Sequence, residues 1–66
     1  MAIARVTKIT SSSNKSFQDA VETGLTRAAE TLRGITGLEV LEQKAKVEKG
    51  QIAEYRTTIE ITFVLD

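Results

Sequence analysis

Residues 52–65, IAEYRTTIEITFVL, alternate almost without interruption. Ala53, Tyr55, Thr57, Ile59, Ile61, Phe63 and Leu65 fall on one side of an extended chain. Arg56, Thr58, Glu60, Thr62 and Val64 fall on the other. A period of two over this length predicts a long strand with one apolar face. That face needs a cover, and the sequence supplies one candidate. Phe17, Ala20, Val21, Gly24, Leu25, Ala28, Ala29 and Leu32 recur at steps of three and four, so the spacing predicts an amphipathic helix over 17–33. Ser16 followed by Asp19 forms an approximate capping box at its start. Most stripe residues are small, which lets a helix lie close to a sheet. Gly24 costs a helix about 1 kcal/mol against alanine, so it marks close backbone approach. Gly34 is expected at C′, where a left-handed conformation ends the helix.

The remaining segments fit around this pair. Residues 3–10 are rich in β-branched types and predict a first strand. Residues 11–16, SSSNKS, are expected as a loop. A second strand is expected over about 38–47, and EKGQ, residues 48–51, as a hairpin turn with its glycine at positive φ. The expected fold class is α+β, in the order β-α-β-β. One amphipathic helix covers a three-stranded antiparallel sheet whose first strand lies beside the last. A single domain is expected over 1–66.

A chain of 66 residues has a marginal core. The usual remedies are disulfides, a structural metal or oligomerisation. There is no cysteine and no histidine, which removes disulfides, thiolate zinc sites and imidazole catalysis. Oligomerisation remains. Nine basic and nine acidic residues give no net charge, and hence no bulk attraction to nucleic acid. No apolar run is long enough to span a membrane, and residues 1–10 lack the apolar stretch of a signal peptide. A cytoplasmic address is expected. Glu39, Glu42, Glu48, Glu54 and Glu60 are spaced along strands as on a solvated face. Ser11–Ser13 lack the glycine and lysine of a phosphate loop. Lys44, Lys46 and Lys49 read as edge protection. Phe17, Tyr55 and Phe63 read as core. No acid–base pair or nucleophile stands out, so no enzyme is expected.

The order of elements, the loop SSSNKSFQDAV, the helix ending RAAETLRGI, the strand LEVLEQ and the ending YRTTIEITFVLD together resemble a dodecin. The resemblance implies a hollow homododecamer that binds small molecules, with riboflavin or FMN held in pairs between subunits for storage. It implies a tryptophan, stacked on the flavin, at the position held here by Gly37. It also implies a glutamine reading the flavin edge at the position held here by Arg56. Gln43 keeps the family residue, with Glu42 beside it. Both flavin-recognising side chains are therefore replaced. A calcium-binding branch is implied as an alternative, with Glu39, Glu42 and Glu60 as carboxylates from neighbouring chains. Arg56 is expected to pair across subunits with Glu39 or Glu60. A second reading gives it to an anion site for a phosphate-bearing ligand, and a third leaves a structural shell without ligand.

Overall fold

A computed structural model describes residues 3–65; residues 1, 2 and 66 of the expected domain lie outside the described residues. Strands β1 (Ile3–Ser13), β2 (Ile35–Glu48) and β3 (Gln51–Leu65) form one antiparallel sheet in the order β1-β3-β2. Helix α1 (Phe17–Ala29) lies across β1 and β3 and meets β2 only at its margin. The expected β-α-β-β order and strand neighbours are therefore observed.

Helix α1 begins as its sequence dictates. The Ser16 hydroxyl accepts the Asp19 backbone N–H at 2.9 Å. Asp19 does not complete the box with its own side chain, because its carboxylate accepts instead from the Ser13 hydroxyl at 2.6 Å. This contact corrects the expected loop. Ser11–Ser13 continue β1 opposite Thr57, Arg56 and Tyr55. Ser11 belongs in the strand because of what lies above it: a Cβ on Gly24 would stand 3.0 Å from the Ser11 Cβ. Small residues on both elements let the helix settle onto the sheet.

The helix ends earlier than its apolar stripe. Its C-cap is Glu30. Thr31 and Leu32 turn their N–H groups back to the Ala28 carbonyl, at 3.1 and 2.8 Å. Leu32 still packs on the core, from a turn and not from the helix. Gly34 is consequently not the C′ residue. It has φ +74°, and a Cβ there would lie 2.9 Å from the Val64 carbonyl oxygen. Its own carbonyl accepts the Val64 N–H at 2.9 Å. Gly34 thus joins β2 to β3 at close quarters. In the β2–β3 hairpin both Lys49 (φ 53°) and Gly50 (φ 75°) are left-handed, the pairing a two-residue hairpin with right-handed twist requires.

The core is small. Ala20, Ala28, Ile59 and Ile61 are buried, and Ile9, Val21, Leu32, Ile35 and Leu38 pack around them. Phe17 meets Tyr55 edge-to-face at 5.0 Å and 80°. Val47 (61% exposed) and Ile52 (50%) sit opposite each other in the outer hairpin, uncovered.

Two substitutions test this packing. Thr57 is fully buried, and its Oγ1 has no hydrogen-bond partner among the described residues. Removing an unsatisfied buried hydroxyl lifts a desolvation penalty, so Thr57→Val should raise stability by about 1 kcal/mol in urea denaturation. A loss of stability would show that the hydroxyl has a partner. Gly34→Ala should cost about 1–3 kcal/mol in the same measurement; an unchanged midpoint would contradict the described contact with Val64.

Candidate functional site

The candidate residues meet on the sheet face turned away from α1, and the register decides which of them do. Ile59 and Ile61 point to the helix, so Arg56, Thr58, Glu60 and Thr62 point away from it. Opposite them on β2 stand Lys44, Glu42, Glu39 and Gly37, and on β1 Ser12, Thr10, Lys8 and Val6. Strict alternation along β2 could not give this set, because Glu39 and Glu42 are three residues apart. An irregularity between Val40 and Glu42 leaves Leu41 as an extra residue. The bulge brings Glu42, Lys44 and Lys46 onto the face of Glu39. It also carries Gln43 to the opposite side, level with buried Thr57. Of the four family positions, Gly37, Glu42 and Arg56 share a face, and Gln43 stands on the other.

Gly37 is open. Its φ is not in the left-handed range, and a Cβ built there would meet nothing within 4 Å. Glycine at this position is required neither by the backbone nor by crowding within the chain. The space that an aromatic ring would occupy is free of this chain's own atoms.

Arg56 is exposed, and its guanidinium donates to the Glu54 carboxylate two residues earlier on the same strand. That hydrogen bond is the largest influence holding the Glu54 carboxyl below its ordinary pKa; slight desolvation opposes it, and the charges of Arg56 and Lys46 assist. Pairing of Arg56 with Glu60 inside one chain is excluded by distance, because four residues along a strand span about 13 Å. Lys44 and Glu42 approach to 3.6 Å, and Lys46 and Glu48 to 3.8 Å. Thr10 and Thr58 share a hydrogen bond of 3.0 Å between their hydroxyls.

Thr10, Glu42, Lys44, Arg56 and Thr58 together line a shallow recess of about 210 Å³. Two cations, one lining carboxylate and two hydroxyls supply both donors and acceptors. Such a recess can hold a polar small molecule by hydrogen bonds and charge pairs. Thr10, Thr58, Lys44 and Glu54 were not foreseeable as neighbours without the register. Glu39 and Glu60 stand directly opposite each other. Two carboxylates are short of the six to eight oxygens a calcium ion takes, and among the described residues no three acidic side chains gather to hold a metal. None of the described helices is long and apolar enough to cross a membrane.

The comparisons with known proteins agree with this geometry. The family model named Dodecin matches residues 3–66. The dodecin from Streptomyces davaonensis has 34% identity and a TM-score of 0.93, with 98% of this chain and 96% of that chain covered. The dodecin from Streptomyces coelicolor has 31% identity and a TM-score of 0.93, covering 98% and 93%. The calcium dodecin from Mycobacterium tuberculosis, a calcium-chelating antigen, has 28% identity and a TM-score of 0.83, covering 97% and 91%. No match was found among curated proteins. A family match across nearly the whole chain, with the same fold in the two Streptomyces proteins, means that this chain belongs to the dodecin family.

Proposed function

We propose that this protein is a non-enzymatic, cytoplasmic shell of dodecin type, a homododecamer that binds or stores a small molecule on the sheet face away from α1. Membership of the family supports the shell, as does a chain whose buried core is a handful of residues while Val47, Ile52, Val40 and Leu41 stay exposed. A closed assembly covers such surfaces and strand edges together.

The observation that carries the ligand reading is that open Gly37 shares a face with the recess at Arg56, about 20 Å farther along the strands. Flavin is the ligand the family implies, and the residues present do not fit a stacked flavin. Gly37 offers no ring. Arg56 is donor-only and already engaged with Glu54, so it cannot reproduce the donor–acceptor pair of an amide. Riboflavin and FMN sequestration is therefore weak here. Calcium, chelated by the mycobacterial relative, would need Glu39 and Glu60 from more than one chain. A phosphate-bearing anion would have to displace Glu54 and Glu42 from Arg56 and Lys44. A shell without ligand is the reading that survives if none of these binds.

Light scattering in dilute neutral buffer should give a particle of about twelve chains. A folded, monodisperse monomer would end the shell reading. Metal analysis of that particle separates a calcium shell from a metal-free one.

Gly37→Trp should keep the fold, since the backbone is ordinary and the space open. It should tighten riboflavin binding about tenfold or more, as one aromatic stack contributes about 1–3 kcal/mol. Adding Arg56→Gln should tighten it further. The readout is quenching of riboflavin fluorescence. Tight binding by the parent, or a double variant that binds no better, would refute this account of the lost site.

A further inference from the structure

Beyond Gly37 the pairing of β2 with β3 runs in two registers. Val40 stands opposite Ile59 and, towards the turn, Val47 stands opposite Ile52. Between these two pairs lie residues 41–46 on β2 and 53–58 on β3, six on each strand. Equal lengths call for no bulge. A ladder drawn straight from one end pair to the other sets Leu41 against Thr58, Gln43 against Arg56 and Ala45 against Glu54. The observed ladder leaves Leu41 out on β2 and Ala53 out on β3, and the five pairs from Glu42–Thr58 to Lys46–Glu54 are displaced by one residue. The two irregularities cancel, so the displaced block is closed at both ends.

Burial does not hold that block in place. Every residue of β2 from Glu39 to its end is exposed, and so are residues 51–53 of β3. Register is weakly specified where neither face of a strand is buried. The displacement leaves two residues unpaired and sets Lys44 directly opposite Arg56, two like charges. In return it sets Lys46 opposite Glu54. Charge terms between such exposed groups are small.

We propose that this block is a two-state element. Leu41 and Ala53 enter the ladder together, and residues 42–46 slide by one while both end pairs keep their partners. A slide of one residue turns each of these side chains to the other face, and the outer hairpin rolls over with them. The recess at Thr10, Arg56 and Thr58 then exchanges Glu42 and Lys44 for Leu41 and Gln43. The observed state offers a carboxylate and a second cation to a charged ligand. The slid state offers an apolar wall and an amide, donor and acceptor together, to an uncharged polar one. A ligand that prefers one lining draws the block towards it. Gln43 is the residue whose access to the recess the slide controls. This consequence rests on the proposed ligand face; the slide itself does not.

Paired cysteines read the slide, since the chain has no cysteine of its own. In the observed register Gln43 and Arg56 point to opposite faces, and so do Ala45 and Glu54, a geometry that a disulfide cannot bridge. Gln43→Cys with Arg56→Cys, and Ala45→Cys with Glu54→Cys, should each nevertheless close within single chains under mild oxidation. Lys44→Cys with Arg56→Cys is the reference for the observed register. The slid pairs should close about tenfold to a thousandfold more slowly than the reference, as for a minor state of about 0.1–10%. Masses of the alkylated chains give the rates. Deleting both Leu41 and Ala53 leaves only the observed register between the end pairs, so closure of the slid pairs should stop in that background. Closure of the reference alone overturns the slide. Closure that survives the double deletion also overturns it, because fraying of the hairpin then suffices. Should the variants fail to fold, nitrogen relaxation dispersion on the unaltered protein decides. Exchange on the μs–ms scale is expected at Leu41 and Ala53, and flat profiles there overturn the slide. A particle of about twelve chains without slid closure rejects the slide and leaves the shell standing. A folded monomer that closes the slid pairs does the reverse.

Discussion

A thirteen-residue helix rises about 20 Å, whereas a strand of fifteen residues spans about 50 Å. This mismatch of cover and sheet governs the rest of the structure. The molecule measures 52 × 19 × 13 Å, far from a sphere. Helix α1 is seated by the contact of Gly24 with Ser11 and Ile59, which fixes it over β1 and β3. Strand β2 has little above it, and from Glu39 to its end every residue is exposed. The outer β2–β3 hairpin is bare on both faces, and an isolated two-stranded ribbon is marginal in water. The protein has the shape of one stave of a vessel, with a helix that covers only part of its sheet.

The periodic elements were legible in the sequence because their period is set by the core they face. The alternation of β3 and the stripe of α1 both describe contact with the same few residues, Ile59 and Ile61 above all. Element ends were less legible. Ser11–Ser13 look like loop residues because polarity and β-structure are confounded when a strand must pass beneath a glycine. The helix stops at Ala29 although apolar spacing continues to Leu32, since a turn can deliver Leu32 to the core as well as a helix can. Gly34 was recognisable as left-handed, but its neighbour across the sheet, Val64, was not, because that contact joins residues thirty positions apart.

The site was legible to a lesser degree. Gly37 and Arg56 draw attention only through likeness to a family that carries other residues there. Their common face follows from the register. Within the chain Arg56 pairs with Glu54, close in sequence and on the same strand, a neighbour that the expectation of a pair across subunits with Glu39 or Glu60 did not include. Gln43 shows the strongest effect of what sequence spacing cannot convey: a single unpaired residue in β2 moved it to the far side of the sheet.

That unpaired residue, Leu41, makes β2 a strand with two independent halves. The half before it is tied to the core through Ile35 and Leu38. The half after it is exposed throughout. Loss of Leu41 would make β2 regular and leave both halves in place, whereas taking Leu41 into the ladder opposite Thr58 would leave the first half in place and turn the second half over. Leu41, Gln43 and Ala45 would then replace Glu42, Lys44 and Lys46 opposite Thr58, Arg56 and Glu54, converting a charged lining into a neutral and partly apolar one. A change of pairing of this kind rewrites several positions in one event without disturbing the packed end of the sheet. Chains of this architecture can therefore differ in what this face presents by more than their side-chain substitutions suggest, and an alignment of their sequences does not show the change.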